Sequence, residues 1–474
     1  MRFSFNWLKR HLSTDLSIQE IADKLTSIGL EVENIEDPTE IFENFKLVQI
    51  ESSEKHPNAD NLHVCVVKDS DGNKMRIVCG AQNARTGLKT VLALPGAKIP
   101  YSGEVLKKSK IRGVESEGMM CSYRELSVQS KDDKIIEIDD KVDLKTPVGE
   151  ALDYGNGIID ASITPNRGDC FSIMGIARDL AAAGAGNFMA AEKVVCKSSF
   201  KFPLRINYDT SAACSQYAPM LAFRVIRGIK NGDSPQWLKS LLKAAEMNSV
   251  SAVVDMANWL MKDIGRPLHI YDLNKIKGSL SIRFTRNKES FIDLKENSHV
   301  LLQDTLIAAD EESPLCLLGI IGSTKAACDE HTTDILIESA LFDPIFIART
   351  GMFLNITTDS RAIFERGIDK ASCVPGIEAI SKLILDNCGG EASEIYVIGK
   401  QPSFEQRISL KKEKLHSISG YEVDWNVAKI FLKRLGLQEI SSDSENVTFQ
   451  IPSWRSDLNI EEDLVEEVIR MVGY

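Results

Sequence analysis

Residues 451–474, IPSWRSDLNIEEDLVEEVIRMVGY, constrain the chain most, because they join an anchored loop, a helix and a crowd of carboxylates in one short run. Proline disfavours helix in the residue before it, so the Pro452-Ser453-Trp454-Arg455 segment reads as extended and held by an aromatic ring. A helix follows. Asn459 and Glu462 have the spacing of a capping box, and Ile460, Leu464, Val468 and Met471 recur at helical spacing. Asp463, Glu466 and Glu467 share one side of that helix, and Asp457 lies just ahead of it, able to fold back. Four carboxylates in a small volume repel one another unless a cation lies between. Magnesium, a hard ion that prefers oxygen ligands, suits such a set. The same residues also read as an acidic first turn that complements the helix dipole.

A chain of 474 residues is too long for one core, so several domains are expected. No apolar run is long enough to span a membrane, and the opening MRFSFNWLKRHL lacks a signal-peptide core. Ten cysteines are scattered without a C-x-x-C pair, which suggests neither a zinc site nor a disulfide framework and fits reduced thiols in a cytoplasm. A net charge of −12 and a pI near 5.3 argue against diffuse nucleic-acid binding, so any RNA contact must come from a local patch.

Residues 1–38 form a small α/β unit: Ser17 and Glu20 make a capping box, Leu16 can staple onto Ile21, and Ile21, Leu25 and Ile28 share a face that Gly29 ends. Residues 39–150 are rich in short strands and turn signals, with Gly72-Asn73 marking a hairpin, so a small barrel of the OB-fold kind is expected. Lys107, Lys108, Lys110 and Arg112 form a basic loop before Gly113 there, which by itself reads as a solvated face. Residues 151–200 hold a bracing segment whose helix buries Ile173, Ile176, Ala177 and Leu180, with Arg167 and Asp169 as the bracing pair. Residues 201–395 mix strand-like runs (LAFRVIRGI, SIRFTR, LLGIIG, DILIESALF) with amphipathic helices in a larger α/β domain. Residues 400–474 read as a winged-helix-like α+β module in which Val427, Ile430, Phe431 and Leu435 point inward. A helix–turn–helix would suggest DNA, but only Lys429, Lys433 and Arg434 lie on the outer face, so protein packing is the expected use. The fold class is therefore multidomain α+β.

WRSDLNIEEDLVEEVIRMVGY resembles the signature that closes one module of bacterial phenylalanyl-tRNA synthetase beta subunits. The resemblance implies that Asp457, Asp463, Glu466 and Glu467 bind magnesium close to an alpha subunit. VCGAQNARTGLKTVLALPGAKIP with IRGVESEGMMCS resembles a tRNA-binding barrel, which implies tRNA contact through the basic loop. The likeness runs along the whole chain and implies an amino-terminal portion of such a subunit, in a tetramer of two alpha and two beta chains that charges tRNA(Phe). ATP and phenylalanine would then bind to the alpha subunit. No P-loop or other ATP motif occurs in the sequence, and neither membrane nor DNA is expected as a partner.

GRPLHIYDLNKIKG, ILIESALFDP and ERGID resemble the editing domain of the same beta subunit, which hydrolyses tyrosine from tRNA(Phe). Its pocket residues fall on Asn258, His269, Gly322 from a tight turn, and Glu338. The logic is physical. A pocket shaped for phenylalanine rejects an added hydroxyl by only about 100-fold, whereas a site demanding that hydroxyl discriminates far better. The chain departs from the family at Ser323, Ala326, Ala327, Ala257 and Ser360, and alanine in place of glycine can forbid positive φ. The alternative reading is a non-catalytic tRNA-binding scaffold with a degenerate pocket.

Overall fold

The computed structural model describes residues 1–126, 134–152, 157–190, 194–286, 288–301, 303–403, 405–420 and 422–473. The chain divides into two compact units, one of residues 4–6 and 34–159, the other of residues 1–3, 7–33 and 160–474.

The smaller unit is built on five antiparallel strands. Their order is Met119–Met120, Lys89–Ala93, Phe45–Lys55, His63–Lys68, Lys74–Cys79. The first of these also approaches the last, so the sheet nearly closes into a barrel. Alternation fills the interior with Val48, Ile50, Cys65, Val67, Ile77 and Leu92. The expected hairpin forms at Gly72-Asn73: Asp69 accepts from the backbone N–H of Asp71 and Asn73 and from the Asn73 amide. Burial favours the neutral acid there, but these donors and Lys46 outweigh it and hold the Asp69 carboxyl down at about 2.

In the larger unit one antiparallel sheet runs His269–Asp272, Ile335–Leu341, Met220–Arg227, with Glu391–Ala392 and Tyr396–Gly399 along the far edge. Helices Ala252–Ile264 and Cys373–Cys388 cover it. A second sheet orders Ile206–Tyr208, Leu280–Phe284, Leu306–Ala309, Pro314–Leu317 and Ile321–Gly322. The capping box at Ser17 and Glu20 forms as expected. Residues 7–33 do not stand as a unit of their own, because Trp7 Nε1 and His11 Nε2 both bond the buried Asp263 carboxylate, at 2.7 and 2.8 Å.

The closing module is a three-stranded antiparallel sheet, Arg407–Lys411, Asn446–Gln450, Gln438–Ser442, with helices Lys412–Ser419, Trp425–Arg434 and Glu461–Val472. Two expectations need correction. Trp425, Ala428, Leu432 and Leu435 are the inward residues of the middle helix, while Val427 and Ile430 are 40% and 44% exposed. Asp424 caps that helix through the N–H of Asn426 and Val427, so it starts with Trp425 already in the core. Residues 452–457 turn rather than extend, and Trp454 lies against Gly436 with the Arg178 guanidinium 4.4 Å above its ring.

Candidate functional site

A cavity of about 290 Å³ opens where the two sheets of the larger unit meet, and Asn258, His269, Gly322 and Glu338 all line it. Four elements, in two sequence-neighbouring pairs, bring them there. Helix Ala252–Ile264 buries Val253, Met256 and Leu260 and turns Asn258 and Met261 toward the space. Glu338 sits in the middle of Ile335–Leu341, a strand buried at all seven positions. His269 is its cross-strand partner.

Gly322 lies in a short strand beside Cys316, not in a tight turn, and its φ is not positive. The glycine is required by space: a Cβ there would sit 2.2 Å from His269 Cε1.

The electrostatics are those of burial without a counter-ion. Among the described residues no cation is bonded to Glu338, so burial pushes its carboxyl up to about 7, opposed by a hydrogen bond from Tyr271. Burial likewise lowers His269 to about 4, leaving a neutral imidazole at neutral pH. Tyr271 Oη donates to Glu338 Oε2 at 2.6 Å, and its ring meets His269 edge-on at 4.3 Å. The sequence reading missed Tyr271, although two-residue alternation from His269 puts both on one face of the strand. It also missed Arg266, which is fully buried and donates to the carbonyls of Ala340 and Asp369 and to Ser372 Oγ, clamping the end of the Glu338 strand. Met247, Met261, Leu268, Phe342 and Phe364 complete apolar walls. Such a chamber can hold an apolar group that ends in a hydrogen-bond donor.

The departures do not disturb the backbone. Ser323 caps the turn Thr324–Ala326 through Lys325 N, and Ala327 has φ −66°. No positive φ occurs at 323, 326 or 327. Thr358 Oγ1 accepts from Arg361 N and donates to Ile320 O, fixing the rim on which Ser360 stands.

The acidic quartet is dispersed. Glu467 is buried between two arginines: Arg455 Nη1 reaches Oε2 at 2.7 Å and Arg470 Nε reaches Oε1 at 2.8 Å. Arg455 also binds both oxygens of Asp457, at 2.9 and 2.8 Å. Asp463, rather than the Asn459–Glu462 pair, caps the helix by accepting from the N–H of Asn459 and Ile460, and Glu462 pairs with Lys414. Glu466 is exposed. Guanidinium groups thus occupy the oxygens of Asp457 and Glu467, backbone N–H groups engage Asp463, and the four do not form a close ligand group among the described residues, so as placed they do not fit a shared ion.

The arginines extend inward. Arg470 Nη1 binds Asp179 at 2.8 Å, and Arg167 joins Asp179 to Asp169, so Asp179 is the residue that links Arg167 and Asp169 to the last helix. Burial works against the Asp169 and Glu467 carboxylates, but the arginines outweigh it, holding Asp169 at about 2 and Glu467 well below its usual range. Among the described residues, one close group of potential metal-ligating side chains occurs, Asp169, Cys170 and Asp179, and both of its carboxylates are ion-paired to arginine.

Lys107, Lys108, Lys110 and Arg112 are all exposed in and before the hairpin Ser109–Ile111, Val114–Ser116, with Arg112 and Gly113 at positive φ in its turn. Asn58 and His56 bond the carbonyls of Arg112 and Ile111 from beneath, so the charges face outward. None of the four is ion-paired with a carboxylate among the described residues. All ten cysteines are free, and no described helix is long and apolar enough to cross a membrane.

A nearly closed barrel, a cavity-bearing double sheet and an arginine-laced closing module follow one another in that order, and the last of them matches a domain family of tRNA synthetases. Residues 45–147 match a putative tRNA binding domain, 217–389 a B3/4 domain and 408–474 a tRNA synthetase B5 domain. The chain belongs to the family of phenylalanine–tRNA ligase beta subunits, corresponding to their amino-terminal portion. It is 43% identical over all of its length to the beta subunit of Paramagnetospirillum magneticum, covering 59% of that protein, and 41% identical to those of Brucella melitensis and Bradyrhizobium diazoefficiens, covering 58% of each. It therefore spans less than two thirds of the relatives it matches. An N-terminal fragment of the phenylalanyl-tRNA synthetase beta subunit from Pyrococcus horikoshii overlaps 68% of this chain and 88% of its own at a TM-score of 0.36 and 15% identity, too distant to bear on the fold.

Proposed function

We propose that the chain serves a phenylalanine–tRNA ligase as part of its beta subunit, and that its cavity edits tyrosyl-tRNA(Phe). The observation that carries the editing half is convergence: Asn258, His269, Gly322 and Glu338, spread over 80 positions of sequence, line one chamber. In this reading the larger unit's residues 201–395 form the editing domain, residues 39–150 an OB-fold that meets tRNA through Lys107, Lys108, Lys110 and Arg112, and residues 400–474 a winged-helix-like module for subunit packing. The alpha subunit binds ATP and phenylalanine, and two alpha and two beta chains assemble in the cytoplasm.

The chemistry follows from the residues. The tyrosine side chain enters between apolar walls and its phenol donates to Glu338, with the neutral His269 imidazole beside it. Phenylalanine supplies no such donor and leaves a buried carboxyl unanswered, a difference that selects tyrosine strongly. Asn258 orients the ester, and a water attacks it with help from the RNA's own hydroxyl. The test is deacylation of tyrosyl-tRNA(Phe) by the chain joined to its alpha subunit. The wild type should hydrolyse it, and Glu338→Ala should lose about 100-fold or more in rate. A wild type without activity would end the editing reading.

A further inference from the structure

Glu338 is the buried carboxylate on which tyrosine selection would turn, yet one of its oxygens is already engaged by a phenol from within the chain. Tyr271 Oη donates to Glu338 Oε2 at 2.6 Å across the pair of strands. Tyr271 is fully buried and belongs to the wall behind Glu338 rather than to the cavity lining. Among the described residues Glu338 Oε1 receives no hydrogen bond, and Glu338 borders the cavity. The strand register explains why the contact is fixed. His269 is directly opposite Glu338, and Tyr271, two residues on, faces the same way with its hydroxyl reaching back along the pair.

We propose that Tyr271 is a positioning residue for tyrosine selection: its hydroxyl ties down Oε2, holds Glu338 in one rotamer and leaves Oε1 as the acceptor presented to a ligand phenol. The inference rests on the editing function proposed for the cavity. The groups facing Glu338 are few. His269 and Tyr271 come from its neighbour strand, Cys316 from the second sheet and Cys373 from the covering helix, while Lys295 and Asp359 stand at the rim. No described arginine or lysine is bonded to Glu338, so the Tyr271 hydroxyl is the group that steadies its ionised form against burial. A carboxyl poised near neutrality is sensitive to the loss of a single such donor. Removing the hydroxyl therefore raises the pH at which Glu338 ionises and frees its rotamer together, and both changes weaken capture of a phenol donor.

Two measurements on the chain test this, each with wild type, Tyr271→Phe and Glu338→Gln. The first is calorimetric binding of L-tyrosine against L-phenylalanine from about pH 5 to about pH 9. The wild type should prefer tyrosine increasingly as Glu338 ionises. Tyr271→Phe should lose about tenfold of that preference at neutral pH, recover part of it at higher pH, and leave phenylalanine binding unchanged. Glu338→Gln should lose the pH dependence. The second is the Glu338 carboxyl titration followed by isotope-edited infrared spectroscopy, with no ligand present. Its midpoint should move upward in Tyr271→Phe. An unmoved midpoint, or a Tyr271→Phe variant with wild-type tyrosine preference at every pH, overturns the positioning role. A midpoint that moves in a protein whose wild type never prefers tyrosine instead removes the editing reading, and the selection role with it.

Discussion

At the scale of single residues, the cavity is set by how close backbones and rings approach. Gly322 is held to glycine by the His269 ring, so Gly322→Ala should displace the imidazole, cost about 1–3 kcal/mol of stability and abolish tyrosine selection. Chemical denaturation and tyrosine binding would read the two effects separately. Glu338 gives a signed pH prediction. Its folded carboxyl titrates at about 7 against 4.5 for the free group, so the folded state keeps a proton that the unfolded state has lost. Its contribution to stability therefore falls as pH rises from about 4.5 to about 7, by about 3 kcal/mol in all, and stays flat above. Glu338→Gln should be more stable than wild type at mildly alkaline pH and equal to it in mild acid, as denaturant titrations at each pH would show. That His269 and Glu338 would share a cavity was legible because the phrases holding them resemble a family, and Asn258 and Gly322 followed from that resemblance. Tyr271 was not, since a tyrosine beside a histidine reads as core until the register shows where its hydroxyl goes.

At the scale of elements, periodicity located most helices and strands but not their rotation. The helix Trp425–Arg434 has apolar residues on more than one side, and spacing favoured Val427 and Ile430 as its inner face. Capping by Asp424 and the size of Trp425 decided otherwise. Val427→Asp and Ile430→Asp should each change the stability of the chain by no more than about 0.5 kcal/mol, whereas Ala428→Asp should prevent the module from folding. The last helix teaches the same lesson about caps. Asp463 bonds two backbone N–H groups, so Asp463→Ala should cost about 1 kcal/mol and Asp463→Asn much less.

At the scale of the whole molecule, the buried ion network is the feature with the widest reach. Arg167, Asp169, Asp179, Arg455, Glu467 and Arg470 tie the turn at Gly168–Phe171, the helix Ile173–Ala182 and the closing helix together. Removing one partner leaves a buried charge, so Glu467→Ala should destabilise by about 3–5 kcal/mol. The Asp169 and Glu467 carboxylates titrate below their unfolded values, so their contribution is fully present above about pH 4 and is lost as pH falls toward about 2. Acid should accordingly release the closing module before the barrel unit, seen as loss of protection from hydrogen exchange in residues 408–473. Because arginines neutralise these acids, chelation of magnesium should leave the unfolding temperature of the chain unchanged.

The sequence by itself determined the three matched modules, their order and four polar or close-packed positions of the cavity, because turn chemistry, apolar periodicity and long family phrases are local properties of the chain. Tertiary structure alone decided the fate of each charge. Whether an aspartate waits for a metal, caps a helix or is consumed by an arginine depends on what folds against it. Arg167, Arg455 and Arg470, some 300 positions apart at the extremes, meet only when the closing helix packs on the helix Ile173–Ala182.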